Sequence, residues 1–237
     1  MTATRRLRRA AGWMAGGLGL TAIGYAATVG TIWYRYGRPV PQSRDEMDPL
    51  LDRFMPEYDV AERHHVRVMA PPEITFAAAA DIDLQRSPLV RAIFKTRELV
   101  LGTEPDSVAR PKGLLAQMKS LGWGVLAETP GREIVVGATV QPWLANVVFR
   151  ALPPDQFRDF QEPGYVKIVW TLRADPAGTG ESIFRTETRV VTTDSAARSR
   201  LRWYWARFSP GIVLIRRLML GPLKREAERR ARAWQTG

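Results

Sequence analysis

In the stretches 123–140, 165–174 and 181–191 the apolar residues of this chain recur at every second position, and from Thr193 to about Ala233 they recur at helical spacing. No other feature constrains the fold as tightly. Period two sends successive side chains to opposite faces of a strand, whereas spacings of three and four place them on one face of a helix. Trp123, Val125 and Ala127 alternate up to the turn Thr129-Pro130-Gly131-Arg132, and Ile134, Val136, Ala138 and Val140 continue after it. Pairing Glu128 with Glu133 across that turn would set Ala127 against Ile134 and Val125 against Val136. Over residues 165–174, Ile168, Trp170 and Leu172 share one face and Lys167 and Arg173 the other. Over residues 181–191, Phe184, Thr186, Thr188 and Val190 oppose Arg185, Glu187 and Arg189. The alternation predicts that Val66, Val125, Val136, Trp170, Phe184 and Thr186 point at the final helix, with Lys167, Arg173, Glu187 and Arg189 in solvent. A slip of one residue would bury those four charges.

The same reading extends upstream. In residues 60–69 Val60, Glu62, His64, Val66 and Val68 fall on one face of a strand, and Arg63, His65 and Arg67 on the other. Pro71 and Pro72 end it and suit the first turn of a helix through the alanine run. Short helices are expected over Pro88–Thr96, capped by Ser87, and over residues 111–120. Thr193 or Asp194 would cap the closing helix, and Ser209-Pro210-Gly211 would kink it or split it in two.

Charge is distributed unevenly. The net +11 arises at the two ends: residues 1–38 hold six basic residues and no acid, and residues 198–237 hold 11 basic against 2 acidic. The middle, 39–197, is mildly acidic, with 18 basic and 22 acidic residues. A nucleic-acid groove would carry its basic residues through the domain, so nucleic acid is not the expected partner. From Ala11 to Tyr34 there are 24 residues without an ionised side chain, enough as a helix to cross about 30 Å of hydrocarbon. Gly12, Gly16 and Gly24 share a face of that helix, and Trp33, Tyr34 and Tyr36 stand where an interfacial belt would lie. A cleaved signal peptide with Gly24-Tyr25-Ala26 near its cleavage site is the alternative. Arg5, Arg6, Arg8 and Arg9 before the segment outweigh Arg35, Arg38 and Arg44 after it, which puts the amino terminus inside and the domain outside a cell membrane crossed once. Residues 1–36 are thus expected as basic terminus and transmembrane helix. Residues 37–59, with four prolines, are expected as an extended tether with one short helical turn, and residues 60–237 as the folded domain.

The order is a strand, short helices, antiparallel strands with tight turns, and a long closing helix. With the strings EYDVAERHHVRVMAPPEITFAAAADIDL, YVKIVWTLRADP, FRTETRVVTTD and SRLRWYWARFSPGIVLIRRLMLGPLKREAERR it resembles the START-related and polyketide cyclase superfamily, called SRPBCC or helix-grip, over roughly residues 54–233. The resemblance implies an α+β domain whose curved antiparallel sheet wraps the long C-terminal helix around a hydrophobic cavity. It does not imply one activity, since the superfamily spans carriers, cyclases and proteins of no assigned ligand. A membrane segment ahead of the domain departs from a freely diffusing carrier.

Catalytic motifs are scarce. There is no cysteine, the two histidines are adjacent, and no phosphate-binding loop, dinucleotide fingerprint or metal-ligand spacing occurs. No cofactor and no metal is expected, and no residue is assigned a catalytic role. The candidate ligand-cavity residues are His64, Val66, Val125, Val136, Trp170, Phe184 and Thr186. His64 shares its face with Val66 and Val68 and could serve as a cyclase-type base, although a satisfied core histidine is the commoner case. Thr186 and Thr188 could orient a polar head, and Trp123 and Trp170 could line the cavity. The carboxylates Glu57, Asp59, Asp81 and Asp83 read as solvated. The expected function is a membrane-anchored domain that binds an apolar or lipid-like small molecule without catalysis. The alternatives are a cyclase or dehydrase that uses the same cavity, and an interaction protein whose cavity is filled by its own side chains.

Overall fold

The computed structural model describes residues 23–83, 87–102 and 111–235. Residues 23–35 are helical (α1) and lead through a 3-10 turn at Arg44–Glu46 to α2 (Pro49–Asp52). Then come β1 (Val60–Val68), α3 (Pro72–Asp81), α4 (Pro88–Leu101), α5 (Leu114–Ser120), β2 (Gly124–Thr129), β3 (Glu133–Val140), α6 (Pro154–Asp159), β4 (Val166–Gly178), β5 (Glu181–Thr192) and α7 (Ser195–Gln235). The strands form one antiparallel sheet in the order β1-β5-β4-β3-β2. This α+β arrangement of a five-stranded antiparallel sheet and a long C-terminal helix fits the helix-grip fold.

The strand faces follow the alternation. The tight turn between β2 and β3 closes with Arg132 N donating to Thr129 O at 3.0 Å, and Gly131 takes the positive φ of +69° that its third position needs. The strands slip by one residue from the expected register: Thr129, not Glu128, opposes Glu133, and Glu128 opposes Ile134. A bulge between Val125 and Ala127 then restores Val125 opposite Val136 and turns Leu126 to the other side of the sheet. α7 runs through the Ser209-Pro210-Gly211 sequence as one 41-residue helix instead of two, and Pro222 also lies within it. Its cap is Asp194, whose carboxylate accepts from Ala197 N at 2.7 Å. Thr193 instead donates its hydroxyl to Tyr165 O at 3.0 Å.

α7 lies along β1 on the inner face of the sheet. Lys224 donates to Arg67 O at 2.7 Å, and the Glu228 carboxylate accepts from Met69 N at 3.1 Å. α3 and α5 close the Val68 end of that face, with Phe76, Ala78, Ala79 and Leu114 in the main core cluster.

The outer face departs from expectation. Lys167, Arg173, Glu187 and Arg189 do sit on it, but Arg189 has 0 % exposure, Lys167 and Glu187 are buried, and Arg173 is half-buried. The cover comes from the segment expected as a tether outside the core, together with α6. Leu51, Phe54 and Met55 pack there with Val135, Phe157, Val169 and Leu126. Each such side chain contributes about 1.5–3 kcal/mol by leaving water, so residues 38–59 form a strap on the sheet. Asp59, expected in solvent, is buried in the same strap; it pairs with Arg198 at 3.0 Å and accepts from Thr192 Oγ1 at 2.9 Å. Asp81 remains exposed, in an ion pair with Arg230.

Residues 11–22 of the uncharged amino-terminal stretch lie outside the described residues. Among the described residues no helix is long and apolar enough to cross a membrane. α1 docks on α7: Tyr25 donates its hydroxyl to Arg207 O at 2.7 Å, and the Arg202 guanidinium donates to Trp33 O at 3.0 Å. Of the three residues expected in an aromatic belt, Tyr34 is exposed. Trp33 is half-buried against Trp203, with ring centroids 4.4 Å apart, and Tyr36 is buried with Val60, Leu201 and Trp205.

Candidate functional site

Strand register sets two rows of side chains across the middle of the inner face. One row runs Glu62, Thr188, Trp170, Val136 and Val125 through β1, β5, β4, β3 and β2. The next runs His64, Thr186, Leu172 and Ile134. On either side the face is apolar. Toward Val60, Val140, Val166 and Val190 pack with Leu201 and Trp205 of α7; toward Val68, Ala174 and Phe184 pack with Met219 and Leu223. The stripe that α7 turns to the sheet is apolar at Leu201 and Trp205, carries Ser209, Ile212 and Arg216 in turn, and is apolar again from Met219. Polar groups from strands and helix therefore meet between two apolar zones.

Arg216 stands over the Trp170 ring, its guanidinium carbon 5.7 Å from the centroid. Part of the side chain keeps contact with solvent. Even so, the loss of water around the guanidinium pulls its pKa down to about 10, and Glu62 is the charge that opposes the shift. Arg216 thus lies between α7 and the middle of the inner face. Burial pushes the Glu62 carboxyl above the ordinary carboxylate range, and Arg216, Arg217 and Arg63 pull it part of the way back. The His64 side chain is 9 % exposed. Burial, then repulsion from Arg216, Arg217 and His65, lowers its pKa to about 4. The imidazole is therefore neutral at neutral pH.

Hydrogen bonding across this face is incomplete. Trp170 Nε1 donates to Thr186 Oγ1 at 2.6 Å. His64 Nε2 lies 3.9 Å from Glu62 Oε2, outside hydrogen-bond range. Among the described residues the buried atoms His64 Nε2, Thr188 Oγ1 and Ser209 Oγ have no hydrogen-bond partner. Most buried polar atoms are satisfied, and each left unmade costs about 1–3 kcal/mol. His64 Nε2 and Thr188 Oγ1 belong to adjacent rows of the inner face, and Ser209 Oγ belongs to α7.

The structure brings the sequence-predicted residues together on this face. Val66, Val125, Val136, Trp170 and Phe184 belong to one core cluster, Thr186 is bonded to Trp170, and His64 sits beside them in the polar row. Phe184 and Val136 are enclosed by neighbouring side chains, while Val66 and Val125 are half-buried. Trp123 has its ring against Phe149, centroids 5.2 Å apart, and its buried Nε1 lacks a partner among the described residues. Glu62, Ser209 and Arg216 were missed, and Thr188 was recognised only as an inward hydroxyl. Their signal is the same periodicity, carried through polar residues: Glu62 shares the parity of His64, and Arg216 lies three residues before Met219.

A shallow cleft beside Glu46, Asp48, Arg63 and Arg173, lined also by His64 and Thr186, has an interior of about 20 Å³, which holds about one water. Among the described residues no group of three histidine or carboxylate side chains could hold a metal ion.

No family model and no curated protein matches the chain. Among solved structures it is similar to CalU16 from Micromonospora echinospora, with 14% identity, 73% of this chain and 86% of that one covered, and a TM-score of 0.26. It is also similar to protein CV1439 from Chromobacterium violaceum, with 16% identity, 65% and 95% covered, and a TM-score of 0.25. A third is the Zhui aromatase/cyclase from Streptomyces sp. R1128, with 16% identity, 72% and 94% covered, and a TM-score of 0.23. Likenesses this distant carry no argument about this chain, so its fold rests on its own strand order, register and helix packing.

Proposed function

We propose that this chain is a membrane-anchored helix-grip domain that binds an apolar, lipid-like molecule between the sheet and α7, without converting it. The observation that carries the reading is the set of unpartnered buried atoms, His64 Nε2, Thr188 Oγ1 and Ser209 Oγ, framed by two apolar zones. Apolar walls with a few convergent polar groups are the usual composition of a small-molecule site. A binding role is favoured over catalysis because His64 has no orienting hydrogen bond at Nε2 and a pKa near 4, which makes it a weak base at neutral pH. The anchor rests on the uncharged stretch from Ala11 to Tyr34, with the basic flank before it on the inner side. α1 then presents Ile23, Tyr25 and Tyr34 as exposed apolar residues at the end of that stretch.

Native mass spectrometry of the full chain, released gently from detergent, tests the binding reading. A co-purified apolar molecule that dissociates on activation is the expected result. Ligand-free protein after extraction and after incubation with a panel of lipids would leave a domain filled by its own side chains. The cyclase reading is favoured by one observation, the His64 imidazole on the inner face. It would replace the binding reading if a turnover were found that His64→Ala removes without unfolding the protein.

A further inference from the structure

α1 carries no charged side chain before Arg35, and it covers only one stripe of its surface, Val29, Ile32 and Trp33, with Tyr36 buried just beyond. Its other residues from Ile23 to Tyr34 are exposed. The helix is tied to α7 at two levels. The Tyr25 hydroxyl donates to Arg207 O at 2.7 Å, and Arg202 Nε and Nη2 donate to Trp33 O at 3.2 and 3.0 Å. At the Trp33 level the two helices build a cluster of rings and guanidinium groups. The Trp33 and Trp203 centroids are 4.4 Å apart. The Arg202 guanidinium carbon stands 4.2 Å from the Trp33 centroid, that of Arg207 5.1 Å from Trp203, and that of Arg38 4.8 Å from Tyr34. Tyr34, Arg38, Trp203 and Arg207 are all exposed.

The charge of this cluster is uncompensated. Residues 23–44 and 195–225 contain no acid. Asp59 and Asp194, which neighbouring segments bring to this end of the fold, are engaged elsewhere: Asp59 pairs with Arg198 at 3.0 Å, and Asp194 caps α7 with Arg200 close enough to act on it. Arg38, Arg202 and Arg207 have no ion-pair partner among the described residues. Contact with a ring consumes no N–H, and Arg202 spends only two of its five on Trp33 O. Donors are therefore left over beside exposed apolar rings, at the point where the uncharged stretch Ala11–Tyr34 ends. A bilayer that holds that stretch meets the cluster at its headgroup level, where tryptophan and tyrosine settle and arginine finds phosphate.

We infer that the α1–α7 cluster seats an anionic phospholipid of that bilayer, with its phosphate on Arg202, Arg207 and Arg38 and its first acyl carbons against Trp33 and Trp203. A zwitterionic headgroup fits less well, because its cation would face three arginines with no carboxylate to receive it. The assignment rests on the membrane-anchor reading above and adds to it a lipid class and a seat on the domain.

The full chain is placed in nanodiscs holding equal amounts of dioleoyl phosphatidylglycerol and dioleoyl phosphatidylcholine, and the lipids it carries on gentle release are counted by native mass spectrometry. Phosphatidylglycerol is expected to be enriched at least about fivefold, the preference that one basic residue near a surface supplies. Arg207→Gln should lower the enrichment severalfold. That side chain makes no hydrogen bond among the described residues, so the fold does not depend on it. Adding Arg202→Gln should abolish the enrichment. Arg225→Gln, the same loss of charge farther along α7, should leave it unchanged. Equal carriage of the two lipids by the native chain, an unchanged enrichment in Arg207→Gln, or an equal loss in Arg225→Gln overturns the inference and spares the anchor reading, since the chain is still in the disc. Recovery of the native chain free of discs overturns the anchor reading, and the inference falls with it.

Discussion

Arg189 is a fully buried charge on the outer face, held by its partners and not by solvent. Its Nε donates to Glu187 Oε1 at 2.8 Å, and Nη1 donates to Asp52 Oδ1 at 2.6 Å and to Met55 O at 2.7 Å, while the Tyr58 ring stacks at 4.7 Å. Removing one member of such a set leaves the others buried and uncompensated. Arg189→Met should therefore cost about 3–5 kcal/mol in urea unfolding, and Glu187→Leu added to it should recover part of that loss. Additive losses in the double variant would show that the two side chains are not coupled. His64 makes the opposite adjustment, losing its charge. Its pKa is about 4 in the fold against an ordinary value of 6.5, so between those values the unfolded chain binds the proton more readily. The contribution is complete above about pH 6.5, falls as pH drops, and is gone below about pH 4, an upper bound of about 3 kcal/mol. Urea midpoints over that range should decline in the native chain and be flatter in His64→Gln. Glu62, Arg216, Arg217 and His65 surround the imidazole, and all but Glu62 oppose its protonation.

Among the elements, the strap and the β2–β3 hairpin differ most from the sequence reading. Four prolines and mixed charges in residues 37–59 have the composition of a linker, and composition does not reveal that Leu50, Leu51, Phe54 and Met55 land on Val135 and Val169. The contact is non-local, made more than 70 residues away along the chain. Leu51→Ala should cost about 2–5 kcal/mol, as a fully enclosed leucine does and a tether residue does not. A thermal midpoint unchanged by that substitution would return the segment to a tether. In the hairpin, the expected pairing of Glu128 with Glu133 treated every residue as one step of an unbroken ladder. A single bulge at Leu126 absorbs one residue, moves both glutamates out of register with each other, and still leaves Val125 against Val136. α7 was expected to kink or to divide at Ser209-Pro210-Gly211; it does not divide, and Ser209 and Ala206 are buried against the rest of the fold. Tertiary packing outweighs the local cost of one proline in a helix that long.

At the scale of the molecule, α1, at the end of the proposed anchor, and the domain are joined through structure and not only through chain. Tyr36 is buried in the cluster formed by Val60, Val190, Leu201 and Trp205, Gly37 N donates to Asp59 O at 3.0 Å, and Arg202 binds Trp33 O. A bilayer-held α1 would therefore hold α7 and the inner face of the sheet at a set distance and tilt from the membrane. The full chain is expected to remain with membranes after alkaline carbonate washing; its release into the supernatant would rule out a spanning segment. The residue sequence by itself determined which side chains share a face, because the periods of two and 3.6 follow from backbone geometry and need no partner. Strand order of use, the inward set from Val66 to Thr186 and the closing helix were legible for that reason. Only the tertiary structure decided what each face meets. Lys167, Glu187 and Arg189 were placed correctly and yet are buried, since the strap that covers them comes from the other end of the chain. Arg216 reaches the Trp170 ring only when α7 packs on the inner face of the sheet, and solvent exposure and pairwise distance are properties of that arrangement, not of any local pattern.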